Sequence, residues 1–190
     1  TVAMTSNSSP SPFTVSATSQ WDGNYPAYKA FDHRNDAYGW CSTYTLPHSI
    51  MYGFGSSVYS INRYRLRSPN TTITAGFPTE FYLYGNAVSS PSITNESDWI
   101  QIDYQVGIAR PGNGAFTSWF DIDTPGSYTY YRLKVVSVTS DTYVWIGEIE
   151  FASSTFEPGN IDVLIQTGTH SYTALEGITG PSTSADFRLR

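Results

Sequence analysis

The stretch Asp98–Tyr104 reads D-W-I-Q-I-D-Y, and this alternation of side-chain types indicates a β-strand. One face of that strand would carry Trp99, Gln101 and Asp103, and the other Ile100, Ile102 and Tyr104. Comparable short runs recur along the chain at Phe13–Ala17, Ser49–Phe54, Tyr59–Arg67, Thr79–Tyr84, Ala115–Ile122, Thr129–Val138 and Tyr143–Phe151. Clusters of Gly, Pro, Asn and Ser separate these runs, and no window keeps a helical period over several turns. The sequence therefore predicts an all-β sandwich or jelly roll, with one helical turn at Pro26–Phe31.

The composition of the 190 residues narrows the class of protein further. Hydrophobic residues make up 39% and aromatic residues 16%, which is enough for a packed core and excludes disorder of the whole chain. Charged residues make up 14%, too few for the faces of a coiled coil or helical bundle. The net charge of −6, without a basic stripe, argues against nucleic-acid binding, and no apolar run is long enough for membrane insertion. Cys41 is the only cysteine, so packing must hold the fold, with or without a metal.

The chain divides into three parts by composition. Residues 1–12 form a polar lead-in, and residues 13–151 hold the strand-like runs described above. Residues 152–190 begin as a linker and continue as a Thr/Ser/Gly-rich extension that is too short to fold alone. Within this extension, Asn160–Gln166 alternates as a strand does. We expect the extension to pack as an arm on the main domain or on another chain, or to stay mobile.

Several motifs follow one another in a recognisable order. They are W-D-G-N-Y-P-A-Y-K-A-F-D (Trp21–Asp32) followed by Trp40 and Ser42, S-I-M-Y-G-F-G (Ser49–Gly55), I-N-R-Y-R-L-R-S-P-N (Ile61–Asn70), P-T-E-F-Y-L-Y-G (Pro78–Gly85), D-W-I-Q-I-D (Asp98–Asp103), Y-Y-R-L-K-V (Tyr130–Val135) and I-G-E-I-E-F (Ile146–Phe151). Together they resemble the discoidin, or coagulation-factor (F5/8) type C, domains, a family that includes family 32 carbohydrate-binding modules. The form with P-A-Y-K-A-F-D, short loops and no disulfide is similar to copies in tailed-phage structural proteins. The resemblance implies an eight-stranded, galactose-binding-like jelly roll that recognises ligands, usually sugars, through loops at one end.

Three loop features depart from the family's usual pattern. His33 follows Asp32, where the family usually has Gly. The spacing from Asp32 to Trp40 is one residue longer than usual. The family's S-x-D-G-x-x-W turn is replaced by a longer, Ser-rich loop at Asn86–Trp99. We expect these loops to lie near the ligand or metal regions.

Many members of the family bind one structural calcium ion beside the A-F-D loop, and the resemblance implies the same site here. The matching positions are Asp32 and Glu148, and Asp36 lies in the same loop as Asp32. Calcium prefers six to eight oxygen ligands, some of them backbone carbonyls. Strand alternation places Glu148 beside Ile146 on a partly buried face, where a carboxylate needs a cation or hydrogen-bond donors. The alternative is that Glu148 accepts backbone N–H bonds or pairs with an Arg such as Arg132.

A sugar site needs aromatic faces that stack on the pyranose ring and planar polar groups that hold its hydroxyls. In the family these groups lie on the loop before A-F-D, the loop after the W-x-S motif and the end of the following strand. The residues in those regions here are Trp21, Tyr25, Tyr44, His48, Arg67 and Asn70. We expect Trp21 and Tyr25 to stack on the sugar, with Tyr44 beside them, and the last three side chains to form hydrogen bonds. Trp40 matches the family's core Trp.

These candidates also have structural interpretations. His48 precedes a strand and can be an ordinary loop residue. Arg63, Arg65 and Arg67 alternate along one strand, as side chains on a solvated outer face do. Trp119 follows a G-N-G turn and is either a second rim aromatic or a core residue.

No catalytic motif is present in the sequence, and the carboxylate pairs in it do not indicate a glycosidase cleft. The leading hypothesis is a non-catalytic domain of a phage virion or tail that binds cell-surface glycans of the host. It would be located in the virion or outside the cell, and its C-terminal arm would contact other virion subunits or further copies of the chain. One alternative is a purely structural decoration or tail-assembly protein, and another is a sugar-targeting module of a secreted bacterial glycosidase.

Overall fold

A computed structural model describes residues 1–153 and, beyond them, the backbone of residues 164–166 and 172–174. Residues 1–153 contain ten β-strands and two short 3-10 helices, at Ala27–Ala30 and Glu96–Asp98. The strands are β1 (Thr14–Ala17), β2 (Trp40–Cys41), β3 (His48–Gly53), β4 (Tyr59–Arg67), β5 (Pro78–Asn86), β6 (Ile100–Val106), β7 (Phe120–Tyr128), β8 (Tyr130–Val138), β9 (Trp145–Ile146) and β10 (Glu148–Ala152). The helical turn predicted at Pro26–Phe31 is confirmed, with Pro26 immediately before its first residue.

Two antiparallel sheets form the sandwich. The first has five strands in the order β1-β3-β8-β5-β6, and the second has three in the order β10-β4-β7. The remaining strands, β2 and β9, pair with each other. The eight longer strands of residues 1–153 thus make the all-β sandwich that the sequence predicts.

Aromatic side chains occupy much of the space between the two sheets. Among the fully buried ones are Trp40, Tyr52, Tyr64, Tyr131, Phe77 and Phe81. The Tyr64 hydroxyl, on β4, donates a 2.6 Å hydrogen bond to the Asp103 carboxylate, on β6, and so joins the two sheets through the core. Burial, together with the charge of Asp103, raises the pKa of Tyr64 well above its usual value. The hydroxyl therefore stays protonated as the donor of this bond.

The seventh strand is not where the sequence predicts it. The run Ala115–Ile122 suggests a strand that ends in a turn at T-P-G, whereas β7 begins at Phe120 and continues through Pro125 to Tyr128. Since β7 is the edge strand of its sheet, a proline that cannot donate to the ladder is tolerated there.

The polar lead-in packs onto the sandwich. Met4 is buried at 2% exposure, and its N–H donates to the Phe31 carbonyl at 2.8 Å. The Val2 N–H donates to the Tyr52 hydroxyl at 3.2 Å. Residues 1–12 therefore belong to the same compact unit, Thr1–Ser154, as the strands.

The second compact unit spans Thr155–Arg190. Its described backbone is an antiparallel pair of short strands, β11 (Leu164–Gln166) and β12 (Tyr172–Ala174). The first of them overlaps the strand that the alternation at Asn160–Gln166 predicts. The rest of the predicted C-terminal arm lies outside the described residues. No helix of the described residues is long and apolar enough to cross a membrane.

The Tyr64–Asp103 hydrogen bond leads to a test of the core. In Tyr64→Phe the Asp103 carboxylate stays buried and keeps a 3.0 Å bond from the Gln105 amide, but it loses the shorter bond from the hydroxyl. We expect the free energy of unfolding in urea to fall by about 1–3 kcal/mol, the cost of an unsatisfied buried group. Tyr59→Phe, at a ring that is 43% exposed, is the matched control and should change little. Equal effects of the two substitutions would contradict this role.

Candidate functional site

Four strand ends meet at one end of the five-stranded sheet. Ala17, at the end of β1, pairs with Ile50 near the start of β3. His48, the first residue of β3, pairs with Val135, and Pro78 of β5 pairs with Val138 at the end of β8. The loops that follow β1 and β8 and precede β3 and β5 are therefore neighbours. They form the end of the sandwich where the resemblance places ligand recognition.

Trp40 fixes the loop that follows β1. Its buried indole N–H donates to the Ser19 carbonyl at 2.8 Å. Next to it, the Trp21 N–H donates to the Cys41 carbonyl at 2.7 Å, and the Thr43 N–H donates to the Ser19 hydroxyl at 3.1 Å. The core role predicted for Trp40 agrees with its burial, and this residue also positions Trp21 at the surface.

An aromatic cleft of about 190 Å³ opens between these loops. It is lined by Trp21, Tyr25, Cys41, Tyr44, Ile73, Tyr143 and Trp145. Trp21 is 44% exposed and Tyr44 is 52% exposed, and their rings meet edge to face with centroids 5.0 Å apart. The Tyr143 ring packs against both, at 6.2 Å from Trp21 and 5.7 Å from Tyr44. These contacts hold the exposed rings in one arrangement.

The short β2–β9 pair brings two buried residues to the cleft. Cys41 pairs with Trp145, and the Trp145 ring meets Tyr25 edge to face at 5.8 Å. Burial, helped by the charge of Asp22, raises the pKa of the Cys41 thiol to about 12, so the thiol is unreactive at neutral pH. The Trp145 indole N–H has no hydrogen-bond partner among the described residues.

His48 lies beneath the cleft loops and is 8% exposed. Its Nδ1 is 3.1 Å from the hydroxyls of both Thr18 and Ser19. Since Ser19 also accepts the Thr43 N–H, His48 helps to join the loop of Trp21 to the loop of Tyr44. His48 therefore supports the loops of the cleft, and it is not one of the residues that line the cleft.

Arg67 and Asn70 are not among the residues that line the cleft. Arg67 is 6% exposed, and its Nη2 is 3.5 Å from the Glu148 carboxylate. Asn70 is exposed, and its N–H donates to the Asp36 carbonyl at 3.0 Å. No hydrogen bond or ion pair among the described residues joins His48, Arg67 and Asn70, the three polar side chains predicted to act together.

The three Arg side chains of β4 become more buried from the first to the last along the strand. Arg63 is exposed and Arg65 half-buried, with the Arg65 guanidinium paired with Glu150 at 2.7 Å. Both guanidinium groups stack on the Trp119 ring, at 4.8 Å and 4.4 Å from its centroid. The outer-face interpretation thus agrees with Arg63 and Arg65, whereas Arg67 is buried. Trp119 belongs to this outer face of the three-stranded sheet.

Glu148 is fully buried at the start of β10. Its Oε2 accepts the His33 N–H at 3.0 Å, whereas its Oε1 has no hydrogen-bond partner among the described residues. Burial raises the pKa of Glu148 to about 8 against the opposing charge of Arg67, and the charge of Asp32 adds to this rise. His33 has φ 58°, a left-handed conformation that explains why the family usually has Gly at this position.

The two other predicted calcium ligands differ in what they already bind. The Asp32 carboxylate accepts the Arg34 N–H at 3.0 Å, and burial raises the pKa of Asp32. Asp36 accepts the Tyr38 N–H at 2.8 Å and lies 3.5 Å from the Arg34 guanidinium. Within the part of the chain that the structure describes, no three His, Cys, Asp or Glu side chains are grouped to hold a metal. The calcium site that the resemblance implies at Asp32, Asp36 and Glu148 therefore stays a prediction.

The long loop Asn86–Trp99 lies away from the cleft. Asn86 pairs with Tyr130, at the opposite end of the β5–β8 ladder from the Pro78–Val138 pair. The loop was expected near the ligand or metal regions, and it lies at the end of the sandwich opposite the aromatic cleft.

Arg132 holds this loop in place. Its guanidinium is fully buried, donates to the Ile93 carbonyl and the Glu96 carboxylate at 2.8 Å each, and stacks on the Tyr84 ring. The suggestion that Arg132 could pair with Glu148 is therefore wrong, because Arg67 takes that place.

Four residues that line the cleft were not predicted from the sequence: Cys41, Ile73, Tyr143 and Trp145. Tyr143 and Trp145 belong to the run Tyr143–Phe151, which indicates a core strand. The available signal was the position of Tyr143 at the start of that run, beside the loop after β8.

No family model and no curated protein matches the chain. Solved structures do match. A family 32 carbohydrate-binding module from Clostridium perfringens, solved with GalNAc-β-1,3-galactose, is 17% identical, with a TM-score of 0.61 over 74% of this chain and 95% of that chain. Chitosan-binding module 2 of a chitosanase/glucanase from Paenibacillus sp. IK-5, solved with chitotriose, is 21% identical, with a TM-score of 0.57 over 74% and 95% of the two chains.

An F5/8 type C domain from Bacteroides fragilis is 14% identical, with a TM-score of 0.59 over 74% of this chain and 91% of that chain. At these identities the likeness concerns the fold. The chain therefore has the galactose-binding-like fold of F5/8 type C domains and family 32 carbohydrate-binding modules.

Proposed function

We propose that this protein is a non-catalytic carbohydrate-binding module whose ligand stacks in the aromatic cleft. The observation that carries the proposal is the exposed pair Trp21 and Tyr44, held in a fixed arrangement at the loop end of the sandwich. Exposed aromatic rings of this kind mark binding surfaces, because leaving them in water is unfavourable. The apolar C–H face of a pyranose is complementary to such rings.

The chemistry of the cleft supports binding without catalysis. None of the side chains that line it is a carboxylate, and its one thiol is held protonated by burial. Asp121 and Asp123, a carboxylate pair two residues apart in the sequence, are exposed on β7 in the other sheet. Glycoside hydrolysis needs two carboxylates across a substrate cleft, and the described residues offer none here.

Substitution of Trp21 tests the proposal. We expect Trp21→Ala to weaken binding of the ligand by at least about tenfold, because the central stacking surface is lost. The ligand would be identified on a glycan array and its affinity measured by calorimetry. Trp119→Ala is the matched control, since it removes the same side chain from the outer face of the other sheet, and it should leave the affinity unchanged. Full affinity in Trp21→Ala would contradict the proposal.

We further propose that this carbohydrate-binding module is part of a phage particle. This role is supported by the resemblance of the segment Pro26–Asp32 to copies in tailed-phage structural proteins. We expect the purified protein to compete with adsorption of the phage that carries it. Intact adsorption, with loss of particle assembly on deletion of residues 155–190, would instead indicate the purely structural role.

A sugar-targeting module of a secreted glycosidase is the second candidate. It is supported by the matching module that is derived from a chitosanase/glucanase. A catalytic domain in the same reading frame would establish it.

We also propose that Asp32 and Glu148 hold a structural calcium ion, with backbone carbonyls as further ligands. The unpartnered, buried Oε1 of Glu148 supports this proposal, because a buried carboxylate oxygen needs a donor or a cation. The ion would supply the positive charge that the buried carboxylate requires.

Calcium addition tests this site through stability. At a calcium concentration about one hundred times the dissociation constant, the free energy of unfolding should rise by about 2.7 kcal/mol relative to the protein in chelator. Glu148→Gln should lose this response, whereas Asp36→Asn, at a side chain bound within its own loop, should keep it. Identical melting curves with calcium and with chelator would contradict the calcium site and leave Glu148 with the charge of Arg67 opposite it.

A further inference from the structure

Strand β6 (Ile100–Val106) is an edge of the five-stranded sheet, and one of its two sides is unpaired. It forms a ladder with β5 on the other side. Among the described residues, no further segment makes a backbone hydrogen bond to Ile100–Val106. The N–H and C=O groups that face away from β5 therefore have no protein partner, and such a row is a template for pairing with another chain.

The exposed side chains of β6 are apolar or uncharged. Ile100 and Val106 are each 60% exposed, and Tyr104 is 37% exposed. The Tyr104 ring stacks on the Tyr82 ring of β5, with the two centroids 4.6 Å apart. Asp103 is the only charged residue of the strand, and it is buried at 2% exposure. The exposed side of the strand therefore carries apolar groups and no charge of its own.

Two other sheet edges in the described part of the chain are protected. Along β1, at the opposite edge of the same sheet, the Val15 N–H donates to the Asn7 carbonyl at 2.8 Å, so the lead-in covers part of that edge. Strand β7, an edge of the second sheet, contains Pro125 and the exposed carboxylates of Asp121 and Asp123. Proline and exposed charge prevent pairing at an edge, and β6 has neither.

We propose that two copies of this chain pair through their β6 edges, antiparallel about a two-fold axis, and so form one continuous sheet. The regular part of β6 is Asp103–Val106, because a bulge interrupts its ladder with β5 before Asp103. A two-fold axis at Gln105 would set Tyr104 of each copy opposite Val106 of the other. An aromatic ring opposite a β-branched side chain is a favourable cross-strand pair. This register covers two of the three exposed apolar side chains.

A second copy is the partner that this edge suits. An interface about a two-fold axis needs a surface that is complementary to itself, and the alternating N–H and C=O groups of an antiparallel edge meet that need. The net charge of the chain is −6, so most surfaces of two copies repel each other. At this edge the residue on the axis is the uncharged Gln105, and the two Asp103 side chains are not opposite each other. This inference concerns assembly and does not depend on the proposed function.

Val106→Lys tests the pairing in the full chain. The substitution would place a charged group against an aromatic ring of the other copy, and it would do so twice in each dimer. We expect the dissociation constant of the dimer, measured by sedimentation velocity over a concentration series, to rise at least about tenfold. Val58→Lys is the matched control, because Val58 is 57% exposed and lies outside β6, and it should leave the dissociation constant unchanged.

Hydrogen exchange gives a second measurement, on the unsubstituted protein. The β6 amides that do not bond to β5 should exchange more slowly as the protein concentration rises, because pairing protects them. Exchange of the β7 amides should not depend on concentration. In Val106→Lys the concentration dependence at β6 should be lost.

Three results would overturn the proposal. The first is a monomer at every concentration up to the millimolar range. The second is a dimer that Val106→Lys and Val58→Lys weaken equally. The third is a dimer in which exchange of the β6 amides does not depend on concentration, since the two copies would then meet through another surface.

Discussion

The hydrogen bond from the buried Trp40 indole to the Ser19 carbonyl is the constraint on which the cleft depends. A loop rich in polar residues has little reason of its own to present a tryptophan in a fixed place. Here the loop backbone is bonded to a core side chain, and Trp21 follows two residues later with its N–H on the Cys41 carbonyl. The exposed ring is thus connected to the interior through two short bonds, which lowers the entropy that a ligand would have to remove on binding.

Three ion pairs among the described residues include a buried or half-buried guanidinium group. Arg67 with Glu148 and Arg132 with Glu96 each combine a buried guanidinium with a carboxylate, and Arg65 pairs with Glu150. A buried pair contributes little net stability, but removal of one partner leaves an uncompensated charge. These pairs specify the ends of β4 and β10 and the course of the loop after β5. They also leave the cleft without charges of its own.

Much of the fold could be predicted from the sequence, because strand alternation and turn residues are local signals. The exposed aromatics of the site were predictable for the same reason: Trp21 stands in a polar loop, where burial is unlikely on composition alone. The polar part of the site was not predictable. The position of Arg67 at the end of a strand predicts a ligand contact, but Arg67 is buried opposite Glu148. Their pairing depends on the register of two strands that are far apart in the chain, so local patterns do not reveal it. Trp145 reaches the cleft only through the pairing of β9 with β2, which no local pattern reveals.

Strand β10 runs from one end of the sandwich toward the other. Its first residue, Glu148, pairs with Arg67 at the cleft end, and its last, Ala152, pairs with Arg63 toward the other end. Strand β10 therefore runs away from the cleft end of the sandwich. The long loop held by Arg132 occupies that same far end. Under the proposed function, the cleft and this loop lie at opposite ends of the sandwich, so a contact that another molecule made through the loop would leave the cleft accessible to its ligand.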